Sequence, residues 1–166
     1  MKKVTLEDML AAREARAQTQ KLLLAHYHQP LISFTLNIPG EIKTSPRLQE
    51  LFHEGLQHIE KQLTLHHIAI LKKIEHHAAT GDECLLVCPD KADKIKSLMT
   101  SIEEEHFLGR LMDIDVLDSN GQKLSRPRPR QCFICGRPAA ECARSRRHNA
   151  QELTTAIKKL LDRHFC

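Results

Sequence analysis

Two aspartates stand two residues apart in the segment MDIDVL, residues 112–117. The alternation of polar and apolar residues predicts a β-strand, so Asp113 and Asp115 should project from the same face. Two carboxylates about 6–7 Å apart on one strand repel each other, and a divalent cation between them would relieve this repulsion. Mg²⁺ suits the pair, because it binds one or two carboxylates together with water and substrate phosphates. The alternative is an amphipathic edge strand with two solvated carboxylates.

Glycines and basic residues in three segments are candidates for binding a phosphate-bearing substrate. Gly109 and Arg110 directly precede the predicted strand. Gly40 belongs to a predicted Pro-Gly turn, and Lys43 follows it by three residues. Guanidinium groups match phosphate oxygens well, which favours the arginines of the segment RPRPR. These are Arg126, Arg128 and Arg130. Each of these residues can instead belong to an ordinary turn or a solvated linker.

Three cysteines and one histidine near the C-terminus have the spacing C-x2-C-x6-C-x5-H. They are Cys132, Cys135, Cys142 and His148. A C-x2-C pair can turn around a tetrahedral metal, and four sulfur and nitrogen ligands without an open position describe a structural Zn²⁺ site. Reduced thiols without a metal are the alternative. Cys84 and Cys88 lie in an apolar segment and are expected to be core residues.

The elements that would position these residues follow from hydrophobic periodicity and turn signals. Residues 31–118 are predicted to run strand, helix, strand, strand, helix, strand, a βαββαβ order that favours a ferredoxin-like α+β sandwich. A helix over 5–25 precedes this unit, and Asp90 is predicted to cap its second helix. Asn149 with Glu152 predicts the start of a last helix. We expect a catalytic domain over 1–126, on which a basic linker, the Cys/His cluster and the last helix pack over 127–166.

Composition restricts the classes of partner. Lys and Arg number 25 against 21 Asp and Glu, a net charge of +4 that fits an anionic substrate or an acidic protein. This small excess, together with one Tyr, five Phe and no Trp, argues against nucleic acid. The sequence contains no apolar run of membrane-spanning length, and its start does not resemble a signal peptide. A cytoplasmic protein without a membrane partner is therefore expected.

Several segments together resemble the holo-citrate lyase synthase family, formally the apo-citrate lyase phosphoribosyl-dephospho-CoA transferases. They are AREARAQ (12–18), LISFTLNIPG (31–40) with Lys43, GRLMDIDV (109–116), LSR (124–126) and RQCFICGRPAAECARSRRH (130–148). The similarity covers almost the whole chain, although Phe107 stands where a proline is expected before Leu-Gly-Arg. It extends to Arg13 and Arg16, which are expected to bind the substrate or the acceptor protein.

This resemblance implies a transferase with two substrates. The prosthetic group would come from 2′-(5″-triphosphoribosyl)-3′-dephospho-CoA and pass to a serine of the apo-citrate lyase acyl carrier (γ) subunit, with release of diphosphate. Asp118 and His106 are both candidates for the base that accepts the serine proton. The Asp-x-Asp strand is also similar to that of the pterin diphosphokinases, where two aspartates hold Mg²⁺ on a nucleoside triphosphate. That likeness concerns the fold and does not establish a function.

Two other functions remain open from the residues alone. A zinc-knuckle module that binds nucleic acid or protein would account for the basic residues between 126 and 147. A small-molecule diphosphokinase would account for the aspartates.

Overall fold

The computed structural model describes all 166 residues. Four strands form one sheet with five α-helices around it, so the predicted α+β class is confirmed. In chain order the elements are α1 (Leu6–Tyr27), β1 (Leu31–Leu36), α2 (Pro46–Leu65), β2 (Lys72–Ala78), β3 (Gly81–Val87), α3 (Ala92–Glu105), β4 (Met112–Leu117), α4 (Ala139–Ser145) and α5 (Ala150–His164). A 3₁₀ turn, Gly109–Leu111, directly precedes β4. The sequence does not predict α4, because its seven residues are too few for an apolar periodicity.

The sheet has the strand order β2-β3-β1-β4, and every neighbouring pair is antiparallel. The register places Thr35 of β1 opposite Glu83 of β3 on one side and opposite Asp113 of β4 on the other. Residues opposite each other in an antiparallel pair share a face. Asp113, Thr35 and Glu83 therefore form one polar row across three strands.

Each face of the sheet carries a separate apolar core. On one face, α2 and α3 cover the larger core, which contains Ile32, Phe34 and Ile114. On the other face, Leu23 of α1 completes a smaller core with Leu31, Leu85, Val87 and Leu117. Leu23 is the one buried residue of α1, so the N-terminal half of this helix does not close onto the sheet. The polar row lies beneath this half of α1, and a cleft separates the row from the helix.

The predicted start of the last helix is confirmed. Ser45 caps α2 ahead of its first-turn proline, and Asn149 with Glu152 forms a capping box at α5. The predicted cap of α3 is wrong by one residue. Lys91 occupies the N-cap without a side-chain bond, while Asp90 accepts the Lys91 N–H at 2.7 Å and pairs with Lys94 at 2.8 Å. The Asp90 carboxylate thus bonds the Lys91 N–H and the Lys94 side chain. The free N–H groups in the first turn of α3 have no side-chain cap.

The outer edge of β4 is covered by side chains and by the segment 123–130. The Leu124 N–H donates to the Val116 carbonyl at 2.9 Å. Glu103 of α3 accepts the Ile114 N–H at 2.8 Å, and the Lys96 ammonium donates to the Ile114 carbonyl at 3.2 Å. Arg130 donates to the Met112 carbonyl. The proline-rich segment therefore satisfies backbone groups that an edge strand would otherwise expose.

Helix α5 attaches the C-terminal part to the rest of the molecule. Ile157 and Leu161 of this helix belong to the larger core.

No helix combines the length and the apolar character that a membrane span requires.

Candidate active site

A narrow cleft of about 130 Å³ lies between the N-terminal half of α1 and the β2–β3 hairpin. Charged side chains from four parts of the chain line it: Arg13, Arg16, Lys43, Asp82, Glu83 and Asp113. The floor is the polar row of the sheet, to which Thr35 contributes. The cleft therefore joins a carboxylate of the predicted metal pair to three cationic side chains that are remote in sequence.

Asp113 and Asp115 project from the same face of β4, as the strand periodicity predicts. Asp113 lies opposite Thr35, and Asp115 lies opposite Ser33 in the next row. Burial, and then the charge of Asp115, raise the pKa of Asp113 above its usual value. Asp115 forms an ion pair with Lys123, whose ammonium lies 3.0 Å from Oδ1. Asp113 forms no ion pair. The pair is thus incompletely neutralised, which is the electrostatic condition that favours a divalent cation.

Lys43 reaches the cleft from the loop between β1 and α2. Its ammonium donates to the Ile38 carbonyl. Burial, with a contribution from the positive charge of Arg13, lowers the pKa of Lys43. An oxyanion in the cleft would relieve both effects, because it would pair with two cations that now repel each other.

Arg16 crosses from α1 to the far end of the polar row. Its Nη1 lies 2.7 Å from Oε2 of Glu83, and both side chains are largely buried. One helical turn further, the Gln20 amide donates to the Ser33 hydroxyl at 3.2 Å. Glu83 was not among the predicted site residues, since a single acidic residue at the start of an apolar strand carries no distinctive signal. Its ion pair holds α1 over the sheet and orients the Arg16 guanidinium.

Arg110 and Arg126, predicted to contact the same phosphate, do not line this cleft. Both lie on the other side of β4, beside the buried Glu103. Gly109 is needed for packing: a Cβ there would lie 2.1 Å from the Glu103 carbonyl oxygen. Gly40 adopts a φ of +81°, which L-residues rarely adopt, and shapes the turn before Lys43. The structure therefore brings Lys43, Arg13 and Arg16 to Asp113 and places Arg110, Arg126 and Gly109 elsewhere.

Neither candidate base faces the cleft. The Asp118 carboxylate accepts the backbone N–H groups of Asn120 and Gln122, both at 2.9 Å, and so stabilises the turn after β4. The His106 side chain is buried between α2 and α5, with Nε2 2.7 Å from Glu54. Both side chains have structural roles in this arrangement.

Glu54, His106 and His164 form a compact cluster in which one carboxylate pairs with two imidazoles. His164 Nε2 lies 3.0 Å from both Glu54 oxygens. A metal at this cluster is disfavoured by the hydrogen bonds, because His106 Nδ1 accepts the Leu108 N–H at 3.0 Å. The proton of neutral His106 must then be on Nε2, where it is donated to Glu54 and occupies the nitrogen that a metal would need.

The four residues of the predicted C-x2-C-x6-C-x5-H set converge. The sulfurs of Cys132, Cys135 and Cys142 and a ring nitrogen of His148 all lie within 4.8 Å of one another. The Nε2 atom of His148 is buried and has no hydrogen-bond partner, which suits a metal ligand. Although burial alone would raise it, the pKa of Cys132 is held low by the N–H groups of Cys135 and Ile134. This cluster can bind a metal ion.

A comparison with known protein families shows to which family the chain belongs. The family model described as apo-citrate lyase phosphoribosyl-dephospho-CoA transferase matches residues 4–164. The chain belongs to this family. The matched span includes the cleft, the aspartate pair and the Cys/His cluster, so the resemblance seen in the sequence motifs is confirmed.

Individual members of the transferase family are similar over nearly the full chain. A probable apo-citrate lyase phosphoribosyl-dephospho-CoA transferase from Streptococcus pyogenes is 42% identical, over 98% of this chain and 88% of the relative. A protein of the same description from Vibrio cholerae is 36% identical, over 98% of this chain and 94% of the relative. Protein CitXG from Haemophilus influenzae is also 36% identical, but the match spans 36% of its length.

Proposed function

We propose that this protein transfers the prosthetic group of 2′-(5″-triphosphoribosyl)-3′-dephospho-CoA to a serine of the apo-citrate lyase acyl carrier (γ) subunit, releasing diphosphate. Membership of the transferase family supports the reaction. The observation that carries the proposal is the convergence of Asp113 with Arg13, Arg16 and Lys43 in one cleft. A polyphosphate donor requires such a site, in which cations neutralise phosphate oxygens and carboxylates hold a metal.

The aspartate pair is the proposed magnesium site. Asp113 and Asp115 would hold Mg²⁺, an ion that commonly binds one or two carboxylates together with water and substrate phosphates. The bound ion would neutralise the charge of the donor's triphosphate. Lys123 would then exchange its contact with Asp115 for solvent or for a phosphate oxygen. The oxygen donors and the unpaired charge of Asp113 fit a hard divalent cation.

The cationic side chains would bind and orient the triphosphate. Lys43, Arg13 and Arg16 reach the cleft from two different elements, so they can contact phosphate oxygens from different sides. Arg16 is held by Glu83 and presents its remaining N–H groups in a fixed direction. Positioning and charge neutralisation should supply most of the rate, because phosphoryl transfer demands little covalent chemistry of the protein.

The proposed step is an in-line displacement at the phosphorus nearest the ribose. The carrier's serine oxygen forms the new P–O bond while the bond to diphosphate breaks. The serine proton is released to water, since neither Asp118 nor His106 faces the cleft. The product is a phosphodiester that links the carrier serine to the phosphoribosyl-dephospho-CoA group.

We also propose that the sheet and its two crossover helices form a ferredoxin-like sandwich. The strand order β2-β3-β1-β4 and the βαββαβ element order support this assignment. For the Cys/His cluster we propose Zn²⁺ in a structural site, because three thiolates and one imidazole leave no open position for a substrate.

Intact-mass analysis of the apo acyl carrier subunit tests the proposed function. The carrier is incubated with this protein, the triphosphoribosyl donor and Mg²⁺. We expect its mass to rise by that of one phosphoribosyl-dephospho-CoA group, and no rise when the serine of the carrier is replaced by alanine. A carrier of unchanged mass would refute the proposal. A reaction in which a nucleoside triphosphate yields the monophosphate would indicate a diphosphokinase instead.

A further inference from the structure

A polar groove runs along the outer edge of β4, on the side away from the cleft. Two adjoining cavities of about 580 and 520 Å³ form it, and both are lined by Glu104, Arg126 and Arg128. Helix α3 forms one wall, and the segment 124–131 forms the other. The proposed function uses none of this surface.

Positive charge is crowded at one end of the groove. Arg126 and Arg130 share the buried carboxylate of Glu103, with distances of 3.0 and 2.9 Å. Arg110 lines the same cavity and forms no ion pair of its own. Burial, and then the charges of Arg130 and Arg126, lower the pKa of Arg110. Three guanidinium groups therefore surround one buried carboxylate, and the other acids, Glu104 and Glu105, are exposed at the rim.

Several hydrogen-bond donors along this groove lack a partner. Arg110 Nε and Nη1, Arg126 Nε and Thr100 Oγ1 are all buried without a hydrogen bond, and so is one acceptor, Glu103 Oε2, which forms an ion pair with Arg126. Thr100 is 6% exposed and lines the other end of the groove, next to Lys96. Buried polar groups are rarely left unpaired, because desolvation without a hydrogen bond costs free energy. Arginine only donates, so the ligand that would pair these groups must be an acceptor, such as an oxyanion.

We propose that this groove is a second oligophosphate site, in which Arg110, Arg126 and Arg128 bind the diphosphate of the donor's dephospho-CoA moiety. The choice of diphosphate rests on the proposed function, because that donor carries one oligophosphate that reacts and one that does not. The reacting triphosphate belongs to the cleft with Asp113. The diphosphate between adenosine and pantetheine would then be held on the opposite side of the same strand.

The position of the groove fits one donor that spans both sites. Arg130 bonds the carbonyl of Met112, the residue before Asp113. Lys96 bonds the carbonyl of Ile114, the residue between the two aspartates. The groove and the aspartate pair thus share β4, and a donor held at both would be fixed relative to the reacting phosphorus. Such remote binding orients the reacting group.

Dephospho-CoA is the probe that tests this site, because it carries the diphosphate but no triphosphate. Arg128→Ala removes an exposed guanidinium without an ion pair, and Arg110→Met removes a charge while keeping apolar volume. We expect each to weaken dephospho-CoA binding by about tenfold or more in calorimetry, as expected for a lost hydrogen bond to a charged group. The KM for the triphosphoribosyl donor should rise by a similar factor and kcat should also fall, because the remote contact orients the reacting group, while the KM for the carrier stays within about twofold.

Controls separate this site from general charge effects and from the proposed function. Arg144→Ala removes an exposed arginine outside the groove and should leave dephospho-CoA binding unchanged. Arg110→Lys should restore part of the affinity, and thermal unfolding of each variant checks the fold. Unchanged dephospho-CoA affinity in Arg110→Met and Arg128→Ala would overturn the groove while transfer by the wild type still upholds the proposed function. A rise confined to the KM for the carrier would instead identify a carrier-binding surface.

Discussion

At the residue scale, Asp113 is the one carboxylate of the cleft that has no ion-pair partner. Its partners across the sheet are neutral or belong to other ion pairs: Thr35 lies opposite, and Glu83 is bound to Arg16. Lys123 neutralises only Asp115. A fold that keeps two carboxylates adjacent and half-buried retains a repulsive interaction, which is more readily explained by a ligand than by stability.

Asp113→Asn should therefore abolish most of the activity. Losing one of two metal-binding carboxylates should lower kcat about 10³-fold or more, since charge neutralisation in the transition state supplies much of the rate. The initial rate of carrier modification at saturating Mg²⁺ measures this loss. Asp162→Asn, the same substitution at an exposed position on α5, serves as the control and should keep normal turnover. Near-normal kcat in Asp113→Asn would exclude a metal role for the residue.

The same substitution should not destabilise the fold. The folded-state pKa of Asp113 is raised, so its charged form weakens the folded state whenever the pH exceeds the unfolded pKa. Asp113→Asn removes this cost, and without Mg²⁺ at pH 7 its free energy of unfolding should equal or exceed that of the wild type. The advantage should shrink as the pH falls from the raised folded-state pKa towards about 4, and it should be absent below about 4, where the aspartate is protonated in both states. Urea denaturation at pH 7 and pH 4 would measure the difference in the free energy of unfolding between Asp113→Asn and the wild type. A clearly lower free energy of unfolding for Asp113→Asn at pH 7 would contradict this prediction.

At the scale of elements, the edge of β4 depends on one buried carboxylate. Glu103 joins α3 to the strand through the Ile114 N–H and joins the segment 123–130 to both through Arg126 and Arg130. The aspartates are presented by this strand. Glu103 and the segment 123–130 therefore help to hold Asp113 and Asp115 in register, although they do not line the cleft.

Glu103→Gln should lower the free energy of unfolding by about 3 kcal/mol, because two arginines then lose a buried counter-charge. Denaturant titration would measure the change. Glu104→Gln, one residue along and exposed, provides the control and should change stability by less than about 0.5 kcal/mol. A loss below about 1 kcal/mol in Glu103→Gln would show that the edge is held by its backbone bonds alone.

Helix α4 and the loop before it depend on the Cys/His cluster rather than on an apolar stripe. Cys142 is the one buried residue of α4. Elemental analysis of the purified protein should find about one zinc per chain. Cys135→Ser should reduce this content and shift the far-ultraviolet dichroism in the same direction as chelation does, whereas Cys166→Ser should change neither. A chain that folds identically without zinc would refute a structural metal.

At the scale of the whole molecule, α5 joins the C-terminal part to the sheet domain by an apolar and a polar contact. Ile157 and Leu161 enter the larger core, and His164 pairs with Glu54 of α2. Against the effect of burial, hydrogen bonds from His164 and His106 hold the pKa of Glu54 below its usual value. Burial, with the charge of His106, lowers the pKa of His58 next to this cluster.

Mild acid should therefore loosen the C-terminal attachment. A lowered folded-state pKa means stability that is present above the unfolded pKa and is lost as pH falls below it, near 6.5 for His58 and near 4.3 for Glu54. Glu54→Gln should lower the free energy of unfolding by about 1–2 kcal/mol at pH 7 and should abolish the part of the pH dependence near pH 4. Thermal unfolding between pH 8 and pH 4 measures both effects, with the exposed Glu50→Gln on the same helix as control. Equal pH profiles for Glu54→Gln and the wild type would contradict this role.

Local patterns were sufficient for most of the helices and strands, though not for α4, and they placed the candidate ligands near one another. A period of two determines that Asp113 and Asp115 share a face, and C-x2-C spacing determines that Cys132 and Cys135 can meet. Caps such as Ser45 and Asn149 act within one helical turn. These relations hold over a few residues, where backbone geometry leaves few alternatives.

The pairing of cations with carboxylates depends on how distant parts of the chain pack together. Arg16 meets Glu83 across 67 residues of chain, and nothing local to either residue indicates that contact. Arg110, although three residues from Asp113, lies across β4 in the groove, because the 3₁₀ turn before the strand directs it to α3. The spacing of two residues within one strand determines which face of the sheet their side chains occupy. The partner that a side chain meets from a distant part of the chain depends on how the helices and strands pack. Periodicity and motif spacing therefore predicted the strand that carries Asp113 and Asp115 and the family of the chain, whereas the packing of α1 and α3 determines which cationic residues line the cleft and which line the groove.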